Sequence, residues 1–311
     1  MSDKIATREA YGKALAELGE KYNDFIVMDA DLSGSTKTGM FAKQFPKRFV
    51  NCGIAEGNMM TTAAGIATTG KKVFASSFAV FASGRAFEQI RNSIAYPNLD
   101  VKIGATHSGI TVGEDGASHQ AIVDMAVMRA LPNMVVINPA DAVETRHAVI
   151  AAYEHNGPVY IRLGRLALPV LFDDNTYKFE IGKGQVLTDG RDITVISTGL
   201  MTHEACAAVK VLKDKGISAR HINMHTIKPI DKDIIISAAK ETGRIITVEE
   251  HSIIGGLGSA VAEVISEECP CKLTRIGIND VFGKSGKPLQ LLDLYGLTAE
   301  KITEKILKSL N

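Results

Sequence analysis

The feature that most constrains how this chain can fold is a twice-repeated alternation of short apolar runs with helix-patterned segments. Phe25-Ile-Val-Met28, Phe49-Val-Asn51, Lys72-Val-Phe-Ala-Ser76, Val101 to Ala105, Met134-Val-Val-Ile137 and Val159-Tyr-Ile-Arg-Leu163 read as buried strands. Between them, Thr7 to about Glu20 reads as a helix with Thr7 as N-cap and Tyr11, Leu15 and Leu18 at helical spacing. Further helices are expected from Glu56, through Arg85 to Arg91, over Gln120 to Ala130 and from Pro139 to Tyr153. After a linker-like run, Leu168 to Thr176, the alternation resumes. Strands are expected at Ile193 to Ser197, Ala219 to Ile222, Ile245 to Glu249 and Leu273 to Ile278, with helices near Glu204–Lys213, Asp231–Lys240 and Gly258–Ser266. Such alternation gives mostly parallel sheets with helices on both faces. The expected fold is therefore α/β, with two doubly wound domains at 1–170 and 190–311 joined by a linker at 171–189. A chain of 311 residues has the length for both.

Charge and cysteine usage exclude several function classes. Lys+Arg and Asp+Glu both total 35, a formal net charge of +0, which argues against nucleic-acid binding through bulk charge. Cys52, Cys206, Cys269 and Cys271 include no Cys-x-x-Cys pair, and Cys269-Pro-Cys271 is too tight for a zinc knuckle. Reduced thiols in a cytoplasmic protein are expected. Met1-Ser-Asp-Lys-Ile5 lacks a secretory core, and no apolar run reaches membrane-spanning length. Gly283-Lys-Ser285 mimics the end of a phosphate-binding loop, but Ile278 stands where its first glycine belongs. Gly255-Gly-Leu-Gly258 lacks the dinucleotide register. Asp29-Ala-Asp31-Leu-Ser-Gly34 opens like a calcium loop, yet Met40 occupies the position of its bidentate glutamate.

The chemistry concentrates in Gly104 to Gln120. An apolar strand empties there into a glycine-rich loop carrying His107, His119 and the acid pair Glu114-Asp115. Loops at the carboxyl ends of strands are where open α/β sheets bind ligands. Glycine permits close backbone approach, and imidazole and carboxylate groups suit proton transfer and hydroxyl binding. The cluster marks the site more than either histidine alone. Glu56, in the first turn of a nearly uncharged helix, reads either as simple helix-dipole complementation or as a buried carboxylate with a task. Phe78 and Phe81, three apart, are a pattern commoner in cores than in cofactor pockets. His251, beside Gly255-Gly256, is the best candidate in the second half and reads as structural.

Taken together, Thr106-His107, Glu114-Asp-Gly-x-x-His-Gln120 and Gly53-Ile-Ala-Glu56 resemble the transketolase family of thiamine diphosphate enzymes. The resemblance covers the pyrimidine-binding and C-terminal domains, nearly the whole chain, and the size resembles the C-terminal subunit of a split transketolase. Family members hold diphosphate and magnesium on a Gly-Asp-Gly motif followed by Asn, which this sequence lacks. The resemblance therefore implies an N-terminal partner subunit carrying the diphosphate and Mg2+ site, a heterotetramer of two copies of each chain, and no activity of this chain alone.

The same resemblance implies roles. Glu56 matches the carboxylate that hydrogen-bonds the cofactor's pyrimidine ring, Phe78 and Phe81 its aromatic pocket, and Asp31 an acid near the cofactor at the dimer interface. His107 and His119 match histidines on donor and acceptor oxygens, and Asp115 matches the acid recognising the donor hydroxyl. Arg8, Ser35 and Arg165 match a sugar-phosphate clamp, arginine being suited to forked contacts. Arg8 also reads as a surface helix cation and Ser35 as a turn residue. Gly84 stands where some members carry Tyr, Ser108 where many carry Asp, and Ala117 where Pro is usual. The implied reaction moves a two-carbon ketol unit from a ketose phosphate to an aldose phosphate. Rival readings are a deoxyxylulose-phosphate-synthase-like enzyme, against which Gln120 stands in place of a second His, another thiamine diphosphate enzyme beta-type subunit such as that of pyruvate dehydrogenase, and a non-catalytic regulatory subunit.

Overall fold

The computed structural model describes residues 4–310, so the outermost residues of both expected domains, and Met1 to Asp3 of the leader stretch, lie outside the described residues. The first half contributes β1 Lys4–Ala6, β2 Phe25–Asp29, β3 Phe49–Asn51, β4 Lys72–Phe78, β5 Val101–Thr106, β6 Val135–Ile137, β7 Val159–Arg162 and β8 Ala167–Pro169. The second contributes β9 Gln185–Thr188, β10 Ile193–Ser197, β11 Ala219–Asn223, β12 Thr226–Lys228, β13 Arg244–Ser252 and β14 Lys272–Ile278. They form a 7-stranded sheet in the order β12-β6-β7-β5-β4-β2-β3 and a 5-stranded sheet in the order β14-β13-β10-β11-β9. β1 and β8 pair antiparallel as a separate ribbon.

Both sheets are parallel except at one edge each, where β12 runs antiparallel to β6 and β9 antiparallel to β11. The mixed α/β architecture with parallel sheets is as expected. The central strands are buried on both faces, which is why they read as continuous apolar runs rather than alternating ones. One buried core joins Ile103, Val136 and Tyr160 of the first sheet with Ile196, Ile222 and Ile227 of the second half. The run at Val101 contains Lys102, fully buried, whose ammonium donates to the carbonyls of His155 (2.8 Å) and Gly157 (2.5 Å) at the end of the Ala142–Glu154 helix. Burial pushes it down to about 8.

Several local expectations shift. Thr7 is the first helical residue rather than the cap, because its hydroxyl is occupied elsewhere, accepting from the Gly164 amide at 2.8 Å. The helix expected from Gln120 spans only Asp124–Arg129, since Ala121 bridges to Ser108. The helix expected from Pro139 spans Ala142–Glu154, capped by Asp141, whose carboxylate accepts from the Glu144 amide. Around Arg85 the backbone is π-helical at Phe81–Arg85 and Ile90–Ala95, a wider winding that often accompanies functional sites. Among the described residues no helix is long and apolar enough to cross a membrane. All four cysteines are free.

Candidate active site

The candidate residues converge where β2, β3, β4, β5 and β7 end. β5 delivers His107, which is almost fully buried and adopts φ +58. A left-handed conformation is costly for a residue with a Cβ and persists only where the surroundings impose it. The imidazole stacks on Phe78 at the end of β4, with centroids 3.9 Å apart and planes 26° from parallel. Its Nε2 lies 3.3 Å from an Arg8 Nη1 and its Nδ1 3.0 Å from Thr106 Oγ1. Arginine can only donate, so Nε2 is the acceptor and the Nδ1 hydrogen is the one given to Thr106. Burial, then the cations Arg8 and Arg165, His119 and Lys37, push His107 down to about 3. It is a neutral acceptor at any physiological pH.

Arg8 enters from the first turn of the Thr7–Lys21 helix, which Thr7 fastens to the end of β7. Besides His107 it donates to the Ser35 carbonyl at 2.8 Å. Its Nε is buried without a partner, and burial followed by repulsion from Arg165 lowers its pKa. Arg165 donates to the Val112 carbonyl and lies 3.6 Å from Glu114. Arg8, Arg165 and Lys37 thus crowd one neutral imidazole, an arrangement that favours an anion.

On the other side of Phe78 the site becomes aromatic. Phe78 and Phe81 are nearly parallel, 13° apart with centroids at 5.9 Å, and His119 stands edge-on to Phe81 at 5.4 Å. The guanidinium of Arg85 lies 4.4 Å over the Phe81 ring and donates to both oxygens of Glu56 at 3.2 and 3.1 Å. Glu56 opens the Glu56–Ala67 helix and is 2% exposed, whereas the Arg85 side chain is 53% exposed. A buried carboxylate at a helix start, beside a pair of aromatic rings, suits a flat polar heteroaromatic ring carrying hydrogen-bonding nitrogens. Among the described residues no group of three or more His, Cys, Asp or Glu is placed to hold a metal ion.

The structure therefore gathers Arg8, Ser35, Phe78, Phe81, His107 and His119, with Glu56 joined through Arg85. Asp31 and Asp115 are exposed and lie apart from these contacts. Asp31, at φ +64, accepts from Asn51 Nδ2 at 3.0 Å. Sequence reading missed four contributors. Asp29 is buried and takes hydrogen bonds from the Leu32 amide and the hydroxyls of Thr36 and Thr38, which shapes the turn presenting Asp31 and Ser35. Lys37 and Arg85 carry no motif. Gln120 is buried and braces the His119 loop. The threonines at 36 and 38, beside the Asp29 loop, offered a signal, as did the place of Gln120 at the end of the Glu114–Gln120 motif.

The chain matches the pyrimidine-binding domain of transketolase over residues 3–170 and the transketolase C-terminal domain over 182–302. It is 57% identical to a Methanocaldococcus jannaschii protein provisionally described as a transketolase C-terminal section, over 97% of this chain and 96% of that one. It is 40% identical to a 6-deoxy-6-sulfo-D-fructose transketolase subunit of Clostridium sp. (strain MSTE9), over 95% of this chain and 91% of that one. A solved structure described as a split-gene transketolase in an inactive beta4 tetramer superposes with a TM-score of 0.92 at 56% identity, covering 98% of each chain. The fold, the two matched domains and these relatives agree: the chain belongs to the transketolase family, as a C-terminal section of the split kind.

Proposed function

We propose that this chain is the C-terminal subunit of a thiamine diphosphate-dependent transketolase that passes a two-carbon ketol unit from a ketose phosphate to an aldose phosphate. It works only with an N-terminal subunit that holds the diphosphate and Mg2+. The observation that carries this reading is the cluster of Arg8, Arg165 and Lys37 around neutral His107, set against the Phe78–Phe81 pair, which Arg85 joins to Glu56. In this reading residues 1–170 carry the cofactor-facing part and 190–311 the second part, with 171–189 between them, in a cytoplasmic protein.

When bound, thiamine diphosphate supplies the nucleophilic carbon and the electron sink for breaking a carbon–carbon bond. Glu56 would hold the pyrimidine ring by a hydrogen bond at the helix start, Phe78 and Phe81 would flank it, and Asp31 would lie near it toward the second protomer. Arg85, half-exposed and hydrogen-bonded to Glu56, can swing aside without unpacking the core. His107 offers its Nε2 lone pair to a sugar hydroxyl once Arg8 turns from it toward the sugar's anionic end, while Thr106 fixes its Nδ1 hydrogen. His119 stands ready beside it to exchange a proton with a substrate oxygen, and Asp115 accepts from the donor hydroxyl. Arg8 and Arg165, with Ser35, grip the anionic end of the sugar in forked contacts.

The Clostridium relative is named for a sulfo-sugar, and a sulfonate presents the same tetrahedral set of oxygens to such a clamp. The solved neighbour is described as inactive in a beta4 tetramer, four copies of one chain, which supports the need for a second polypeptide; a two-plus-two assembly with that partner is part of the proposal. To test the reading, the purified chain is mixed with its N-terminal partner, thiamine diphosphate and Mg2+. Transfer is assayed from xylulose 5-phosphate, or from 6-deoxy-6-sulfofructose, to ribose 5-phosphate. Glu56→Ala should remove at least about a hundredfold of the rate, the scale of losing a positioned catalytic group, with assembly intact. Complex formation without turnover of either donor would favour a regulatory subunit instead, and carbon dioxide release from pyruvate would favour the synthase-like or the pyruvate dehydrogenase-type reading.

A further inference from the structure

The loop carrying Glu114, Asp115 and His119 is wound on itself: the Gly116 amide donates to Gly113, and the His119 and Gln120 amides both donate to Gly116. Those bonds give it a shape but do not set its height above the sheet. The Gln120 side chain ties it to the second half. Gln120 is 4% exposed, and its Nε2 donates one hydrogen to the Ile110 carbonyl at 3.1 Å, at the start of the loop, and the other to the Lys284 carbonyl at 2.9 Å. Both donors of the amide are thereby used. Lys284 belongs to the 279–287 loop that follows β14 in the second half.

The packing is equally specific. A Cβ at Gly283 would lie 1.5 Å from Gln120 Oε1 and 2.7 Å from its Cδ, so only glycine lets the amide lie on that backbone. Gly116, at φ +73, sits under Ser285, whose Oγ would be 2.3 Å from an added Cβ. At the loop's other end Glu250 of β13 accepts from the Thr111 amide at 2.7 Å, and Gly109, at φ +74, leaves room for that carboxylate. The second half thus supports the loop at both ends. The Gly283-Lys-Ser285 stretch, which fails as a phosphate loop, here has a reason for its glycine.

We propose that Gln120 is a positioning residue for sugar binding, and that the 279–287 loop is the platform it grips to set Asp115 and His119 at the right height. The proposal rests on the roles given above to those two residues. Two variants test it. Gly283→Ala keeps the amide but pushes it off its seat. Gln120→Ala removes it, leaving only a 3.5 Å contact between position 120's Cβ and any Cβ added at 283.

In the full chain, amide hydrogen exchange at Gly116, His119 and Gln120 should quicken about tenfold in Gly283→Ala, the size of one net hydrogen bond. In a Gln120→Ala background the same change should add nothing. Equal effects of Gly283→Ala in both backgrounds, or none in either, would overturn the link. In the assembled enzyme, Gly283→Ala should lower kcat/KM for xylulose 5-phosphate about tenfold, with KM rising as the Asp115 contact is lost and kcat falling as His119 is displaced. Quickened exchange with an unchanged kcat/KM would reduce Gln120 to a structural tie and sink the positioning role. A wild-type complex that turns over no sugar sinks the functional reading, and exchange alone then decides the loop's dependence on Gln120. A wild type that turns over while exchange is unmoved sinks the platform and leaves the functional reading standing.

Discussion

Arg162→Met tests whether a buried charge joins the two halves of the molecule. Arg162, 2% exposed at the end of β7, donates Nε to Asp124 Oδ2 at 2.8 Å and Nη2 to the carbonyls of Ala121 and Glu250 at 3.0 Å each. Ala121 follows the site loop, whereas Glu250 belongs to the second sheet, so one guanidinium spans both. Methionine keeps the aliphatic stem and removes all three bonds. Asp124 is then left fully buried with only the Tyr160 hydroxyl, at 2.9 Å, as hydrogen-bond donor. Breaking a buried ion pair from one side costs roughly 3–5 kcal/mol, and each abandoned carbonyl adds about 1 kcal/mol. A total of roughly 5–7 kcal/mol is about the whole stability of an ordinary domain. Adding Asp124→Asn removes the stranded charge and should recover about half of that. Urea unfolding of the single and double variants measures both quantities. A loss below about 1 kcal/mol in R162M, or no recovery in D124N/R162M, would show that the charge is not what holds this junction.

Other outcomes follow from the same contacts. His107 is held down to about 3, and His221, His225 and His251 to about 4, each chiefly by burial. These values lie below the unfolded pKa of about 6.5, so the unfolded chain binds the extra protons and stability falls as pH drops from about 6.5 toward 4. NMR resonances of these four imidazoles should stay flat from pH 8 to 5; a His107 titration near 6.5 would refute its neutrality. Burial raises Glu249 to about 7, so its contribution has the opposite sign, present below about 4.5 and lost as pH rises through about 7. Glu249→Gln should accordingly flatten the alkaline limb of the stability profile. Asp29→Ala leaves the Leu32 amide and two threonine hydroxyls without their acceptor, and should cost roughly 3 kcal/mol with faster exchange at 30–38. Wild-type exchange there would show that the turn shapes itself.

Much of the fold was legible because buried parallel strands advertise themselves as apolar runs. Val101 to Ala105 and Ile193 to Ser197 are the clearest, and Lys102 did not hide the first. The loop from Gly104 was legible because its chemistry is local. What stayed hidden depends on partners remote in sequence. Thr7 looks like a cap until Gly164 claims its hydroxyl. Gln120 looks like the start of a helix until Lys284 takes its amide. Arg85 looks like an ordinary surface cation until the π-helical winding turns it over Phe81 toward Glu56. Thr226–Lys228 is too short and too polar to announce a strand, and its place on the first sheet is decided by β6.

That last strand has a consequence for anyone wishing to separate, exchange or permute the halves. β12 lies far along the chain, after β10 and β11 have entered the second sheet, yet it closes the edge of the first beside β6. A truncation before it would strip β6 of its neighbour and leave a bare row of amides and carbonyls open to stray pairing. Chimeras cut at the sequence boundary should therefore aggregate more readily than ones that carry residues 226–228 along with the first half.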